Sequence, residues 1–234
     1  MNIKLHKYNC CDFNEVDSIG VLCRGTSLGS IGNYKDDFKN IFIVGQHYES
    51  FKLIGDYLLG SNMVKVHGSI FNKPSNGYKK QYAKYNIRDM QTYLNPNGSD
   101  RKAYKFKKIT KRNFGILQVF PIPDNFHERN KRFILKRKHR RGERLHHPTL
   151  GLFGVDLACA YKPKSVNIIG LDFYQAPDFV VEKQHISTSR NSPRGDSMIE
   201  YLELLCKEEM DIQFNLYTCC KKIKSSGNLK VINV

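Results

Sequence analysis

The chain predicts an α/β domain with a mostly parallel central sheet, and three observations carry that expectation. Short apolar runs at 19–23 (IGVLC), 41–45 (IFIVG) and 165–170 (SVNIIG) read as buried strands. Segments with helical spacing alternate with them, at 48–59, 150–161 and 196–206. The runs also end in turns of small and polar residues, and carboxyl ends of strands and starts of helices are where open α/β sheets bind phosphorylated ligands. With helices on both faces and no internal repeat or low-complexity linker, the parse is one domain over 1–234 with an inserted basic lid over about 72–145.

Residues 19–23 form a first strand, closed by the turn Arg24-Gly25-Thr26-Ser27. Residues 41–45 form a second. In the helix expected over 48–59, Phe51, Ile54, Tyr57 and Leu58 share one face, and Gly60 is its stop. Residues 63–67 (MVKVH) read as a third strand. The stretch 72–113 is polar and rich in Tyr, Lys and Asn, with turn signals at Lys73-Pro74 and at 95–98 (NPNG). Residues 114–120 (FGILQVF) read as a strand stopped by Pro121 and Pro123, and 125–145 is too charged for a core. Small residues (Gly151, Gly154, Ala158, Ala160) suit the helix over 150–161 to close packing on a sheet. After the 165–170 strand comes a polar loop over 175–195. The amphipathic helix over 196–206 has Asp196 or Ser197 as its cap and Glu200 placed for a capping box. Strands over 212–218 and 229–234 end the chain.

Composition narrows the function classes. The chain has 234 residues, 40% of them apolar, enough for a real core. Its mean hydropathy is −0.51. No apolar run reaches the ~20 residues of a spanning helix, and the N-terminal stretch has no signal core, so a cytoplasmic protein is expected, with peripheral membrane contact left open. Seven cysteines, an odd number without C-x-x-C, argue against a disulfide framework or zinc ribbon. The formal charge is +16, and between Arg101 and Arg144 there are 16 Lys/Arg against 3 Asp/Glu. Such a segment attracts phosphates, acidic glycans, anionic headgroups or nucleic acid, or else is a solvated loop.

The densest chemical signal is 147–174 (HPTLGLFGVDLACAYKPKSVNIIGLDFY), a turn, a helix, a loop and a strand ending on Asp172-Phe173-Tyr174. It reads as the floor of a nucleotide-sugar site. The turn at 24–27 lets a backbone approach a ligand, although G-x-G-x-x-G and G-K-[ST] are both absent. Asp172 could instead cap the following turn, and Tyr174 could be a half-buried aromatic. His146-His147 lacks a third ligand at metal-binding spacing, and no D-x-D occurs, so no metal site and no cofactor are expected.

Residues 21–28 (VLCRGTSL) resemble the opening strand and G-x-G-P-S-L-type loop of the sialyltransferases of glycosyltransferase family 42 and their viral and bacterial relatives. Residues 41–48 (IFIVGQHY) resemble that family's second strand. Residues 148–174 are similar to its T-x-G helix followed by a G-[IL]-D-F-Y strand, and 196–218 to its next helix and strand. The likeness covers about two-thirds of the chain and is poor over about 72–145. It implies a single Rossmann-like nucleotide-binding domain with a lid, and transfer from a CMP-activated acidic sugar to a glycan acceptor without a catalytic metal. Gly25, Thr26, Ser27 and Gln46 would line the cytidine side. Thr149, Leu150 and Gly151 would offer backbone amides, Asp172 would accept from ribose hydroxyls, and Tyr174 would bind the departing phosphate.

That chemistry needs stabilised phosphate charge and a base near neutrality. Neutral donors and a helix N-terminus supply the first, and a histidine the second. His185, in the loop after the D-F-Y trio, is the candidate base, against the alternative of a surface histidine. Arg24 stands where the family usually has Asn, either reaching a phosphate or pointing away. His147, counted with the catalytic candidates, stands where relatives carry Arg before T-x-G, and Arg144 or His146 could substitute. His185 also lies 11 residues before Asp196, farther than the family's base from its helix. Two other readings remain: a nucleic-acid binder using the 101–144 segment, which the cleft-building elements disfavour, and a family relative that binds a CMP-sugar without turning it over. Pairing of subunits through a sheet edge or an apolar helix face stays open.

Overall fold

The computed structural model describes residues 13, 16–45, 48–67, 84–85, 87–91, 149–175 and 192–234. Its centre is a seven-stranded sheet formed by β1 (Ser18–Leu22), β2 (Asn40–Val44), β3 (Asn62–His67), β4 (Arg88–Gln91), β5 (Ser165–Ile169), β6 (Gln213–Thr218) and β7 (Leu229–Asn233). The spatial order is β4-β3-β2-β1-β5-β6-β7, and every neighbouring pair is parallel. The order grows outward from β1 in both directions, so the connections diverge between β1 and β5. A crevice at the carboxyl ends of these two strands follows from that reversal.

Alternating side chains of the strands feed two cores. Ile19, Val21, Phe42, Val44, Val166, Ile168, Phe214 and Leu216 pack on one face against helices α2 (Leu150–Ala160) and α3 (Ser192–Glu208). Leu22, Ile41, Ile43 and Met63 pack on the other, with Leu28, Ile31 and Phe38 of the first crossover and with Phe51 and Ile54 of α1 (Tyr48–Ile54). Covering both faces is the condition under which an all-parallel sheet is stable, and it explains why its central strands are mostly apolar. Where the second face does bury amides, they are paired. Asn167 Nδ2 donates to the Asp37 carbonyl at 2.7 Å, and Asn215 Nδ2 donates to Asn167 Oδ1 at 2.8 Å.

Several expectations need correction. The first crossover is a 3-10 helix over Thr26–Asp37, with non-helical backbone at Tyr34, in place of the small-residue turn expected there. The helix over 48–59 is α-helical to Ile54 and continues as a 3-10 turn over Gly55–Leu58. The tighter winding rotates the last turn, so Phe51, Ile54 and Leu58 are buried while Tyr57 is 54% exposed. Gly60, at φ +86°, ends the segment as expected. Helix α3 starts at Ser192, four residues before the expected Asp196. Asp196 is therefore no cap: it lies in the second turn and pairs with Lys222 at 2.9 Å. Pro193 and Gly195 hid that start, although proline fits a first helical turn because its missing N–H has no intrahelical partner there. Strand β4 falls inside the stretch read as an insertion, yet it pairs with β3. The strand expected over 114–120 lies outside the described residues, as does the basic 101–144 segment.

Candidate active site

Strand pairing between β1 and β5 continues past the strands into their turns. Cys23 N–H donates to the Ile169 carbonyl at 2.8 Å, and Gly25 N–H to the Gly170 carbonyl at 2.7 Å. The two glycine-bearing turns therefore lie side by side. Gly170 has φ +77°, the left-handed region that favours glycine, and a β-carbon there would also strike the Cys23 backbone. Gly25 serves differently. Its φ of −70° is ordinary, so its value is space: a β-carbon would overlap the Asp172 carboxylate and the Gly170 carbonyl.

Asp172 is 4% exposed and ties three strand ends together. Its Oδ2 accepts from Ser27 N–H at 2.9 Å. Its Oδ1 accepts from the Thr218 hydroxyl at 2.9 Å and from Cys219 N–H at 3.0 Å. Ser27 Oγ in turn accepts from Gly170 N–H at 2.9 Å. The next two residues, Phe173 (φ +50°) and Tyr174 (φ +58°), both adopt left-handed backbone, and Gln175 N–H closes on the Asp172 carbonyl at 2.8 Å. This is the pattern of a type I′ turn, which ordinarily takes Asn, Asp or Gly. Side chains as large as Phe and Tyr cost about 1–3 kcal/mol each there. Burial of the Phe173 ring, 1% exposed, offsets about 1.5–3 kcal/mol of that. Strain of this kind concentrates at functional sites.

A cavity of about 220 Å³ opens over these turns. Its walls include Arg24 and Gly25 after β1, Gly45 after β2, Thr149, Leu150 and Gly151 at the start of α2, and Asp172 with Tyr174. Cys23, Val44, Leu171, Phe173 and Met198 make its apolar part. Helix α2 begins correctly capped: Thr149 Oγ1 accepts from Leu152 N–H at 3.5 Å and the Thr149 carbonyl from Phe153 N–H at 3.0 Å. The amides of Leu150 and Gly151, in the first turn, have no intrahelical acceptor and form the positive end of the helix dipole. Across the cavity the Arg24 stem lies over Gly45, where a β-carbon would sit 3.1 Å from Arg24 Cδ. Arg24 and Asp172 are the charged residues of the described wall, and the carboxylate is compensated by its three donors. The balance favours an anion. Burial, with the nearby Asp172, pushes the Cys23 thiol far above its ordinary range, so it is no nucleophile.

The structure thus brings together Arg24, Gly25, Thr149, Leu150, Gly151, Asp172 and Tyr174. Thr26 is exposed outside the cavity walls. Ser27 corrects a nucleotide-lining expectation: it is 1% exposed, and its amide and hydroxyl are engaged by Asp172 and Gly170 behind the wall. Asp172 does not cap the following turn with its side chain; it staples neighbouring strands. Gln46, His147 and His185 lie outside the described residues. Thr218 and Cys219 were missed because β6 gives no local cue to its neighbour; their place at a strand's carboxyl end is the one usable signal. Among the described residues no three His, Cys, Asp or Glu side chains are grouped to hold a metal ion, and no helix is long and apolar enough to cross a membrane.

No protein-family model matches the chain, and no curated protein does. Solved structures do. The sialyltransferase CstII of Campylobacter jejuni, in complex with a trisaccharide acceptor and CMP, aligns with a TM-score of 0.57 at 20% identity, over 92% of this chain and 85% of that one. CstII in complex with the substrate analogue CMP-3FNeuAc aligns at 0.58 and 18%, over 92% and 86%. The monofunctional α-2,3-sialyltransferase Cst-I of the same organism aligns at 0.59 and 18%, over 92% and 80%. The chain has the fold of these Campylobacter jejuni sialyltransferases.

Proposed function

We propose that the protein is a glycosyltransferase that moves sialic acid, or a related acidic sugar, from a CMP-activated donor to a hydroxyl of a glycan. The observation that carries this reading is the cavity at the β1–β5 reversal, where the start of α2, the Gly25 turn and the Asp172–Tyr174 turn share one hollow. The likeness in fold to CMP-bound sialyltransferases supports it. The Leu150 and Gly151 amides, the Arg24 guanidinium and the Tyr174 hydroxyl are the donors available to a phosphate. Asp172 would face the ribose.

In the proposed reaction the acceptor oxygen bonds to the anomeric carbon from the face opposite CMP. The bond from that carbon to the phosphate oxygen breaks, CMP leaves with the electron pair, and the configuration inverts. His185 would take the acceptor proton. The helix start, Arg24 and Tyr174 would stabilise the leaving phosphate in place of a divalent ion.

A melting experiment with nucleotides tests the reading. CMP at millimolar concentration is expected to raise the Tm, and ADP and NAD to leave it unchanged. Absence of a CMP shift overturns it. Donor hydrolysis without acceptor then separates a working transferase from a relative that only binds.

A further inference from the structure

We infer that Thr218, on a strand that contributes nothing to the wall of the cavity, is a positioning residue for nucleotide recognition. It holds the Asp172 carboxylate so that one acceptor position remains for a ribose hydroxyl. The inference rests on the proposed CMP-sugar site.

An ionised carboxylate accepts at about four lone-pair positions. Among the described residues, three donors reach Asp172: Thr218 Oγ1–H and Cys219 N–H on Oδ1, and Ser27 N–H on Oδ2. Oδ1 is filled, and Oδ2 keeps one position. Oδ2 is also the oxygen nearest the missing β-carbon of Gly25, another residue of the cavity wall. The staple thus leaves its spare acceptor on the oxygen that borders the wall.

Thr218 is the hinge of this arrangement. It is fully buried, and its hydroxyl accepts from Cys220 N–H at 3.1 Å. The hydroxyl has one proton and two acceptors in range, Asp172 Oδ1 at 2.9 Å and the Leu171 carbonyl at 3.2 Å. The shorter bond to a charged acceptor is the stronger. Without it, the Oδ1 end is held by one backbone amide, and the carboxylate can turn about its Cβ–Cγ bond. The vacant position on Oδ2 then loses its direction. A site that hydrogen-bonds a hydroxyl rejects the analogue lacking it, because its own buried polar group goes unpaired. Thr218 would therefore set the preference for ribose over deoxyribose without touching the sugar.

Calorimetric titration with CMP, 2′-deoxy-CMP and 3′-deoxy-CMP tests this. Wild-type protein is expected to bind CMP roughly tenfold or more tighter than at least one deoxy analogue. Thr218→Val should shrink that ratio to within about threefold, by weakening CMP and sparing the deoxy form. Thr218→Ser, which keeps the donor, should restore it. A general loosening of the fold would weaken all three nucleotides together and leave the ratio intact, which overturns the proposal. Should Thr218→Val fail to fold, Thr218→Cys keeps the shape with a poor donor, and the same ratio decides. Wild-type protein that binds CMP and both deoxy analogues equally overturns this inference alone, whereas protein that binds none overturns the proposed function as well.

Discussion

The Phe173 carbonyl oxygen occupies the space that a side chain on Gly195 would need, so α3 rests directly on the turn that ends β5. That contact holds two left-handed residues in place from above, while Asp172 holds them from the sheet side. Within a helix, Gly→Ala ordinarily stabilises by about 1 kcal/mol. Here Gly195→Ala is expected to destabilise by about 1–3 kcal/mol through overpacking. Urea unfolding gives the sign, and a variant as stable as wild type or more so would place α3 clear of the turn.

Under the proposed function, Arg24 would separate phosphate recognition from nucleoside recognition. Its stem is seated over Gly45, and it is the cation of the described cavity wall. Arg24→Gln keeps a polar side chain and removes the charge. Loss of a charged hydrogen bond of about 1.5–3 kcal/mol corresponds to a roughly 10- to 100-fold weaker CMP affinity. Cytidine affinity should stay as it was. Titration with the two ligands checks this, and equal weakening of both would place Arg24 outside the phosphate contact.

Tyr217 is expected to make the stability of the fold depend on pH. Its hydroxyl donates to Asp37 Oδ2 at 2.7 Å, and its ring packs 4.6 Å from Tyr34 and 5.7 Å from Phe38. Burial, and then the Asp37 carboxylate, push the phenol well above its usual value. A folded pKa above the unfolded one means the contribution is complete below about pH 10 and is lost as pH rises through the folded value. Tyr217→Phe should lower stability near neutrality by about 1–2 kcal/mol. It should also remove part of the alkaline loss expected of wild type above about pH 10. Urea unfolding at neutral and alkaline pH reads both, and parallel profiles for the two proteins would contradict the assignment.

Six of the seven strands were legible, the central ones because a parallel sheet covered on both faces leaves each of them a largely apolar run. β4 (Arg88–Gln91) was not, since a short edge strand in which Met90 is the one apolar residue lacks that signature. The start of α3 was hidden by residues that break helices in isolation but suit a first turn and a tight contact. Of the cavity wall, Gly25, the T-L-G helix start and the D-F-Y trio were readable, because backbone geometry and strand ends restrict residue type there. Ser27 was misplaced because a hydroxyl next to a glycine turn looks the same whether it faces a ligand or a buried carboxylate. Thr218 was invisible, because its role depends on which strand lies beside β5, a fact of topology rather than of local sequence.

The bonds of Asp172 reach back 145 residues to Ser27 and forward 46 to Thr218. The pocket can therefore close only after β6 has left the ribosome. Until β6 emerges, a strained Phe-Tyr turn and an acidic side chain wait without the partners that justify them. Such long-range closure is slow, and it leaves sticky sheet edges uncovered meanwhile. Production of this protein should depend on chaperone supply and low growth temperature more than its melting point alone would suggest.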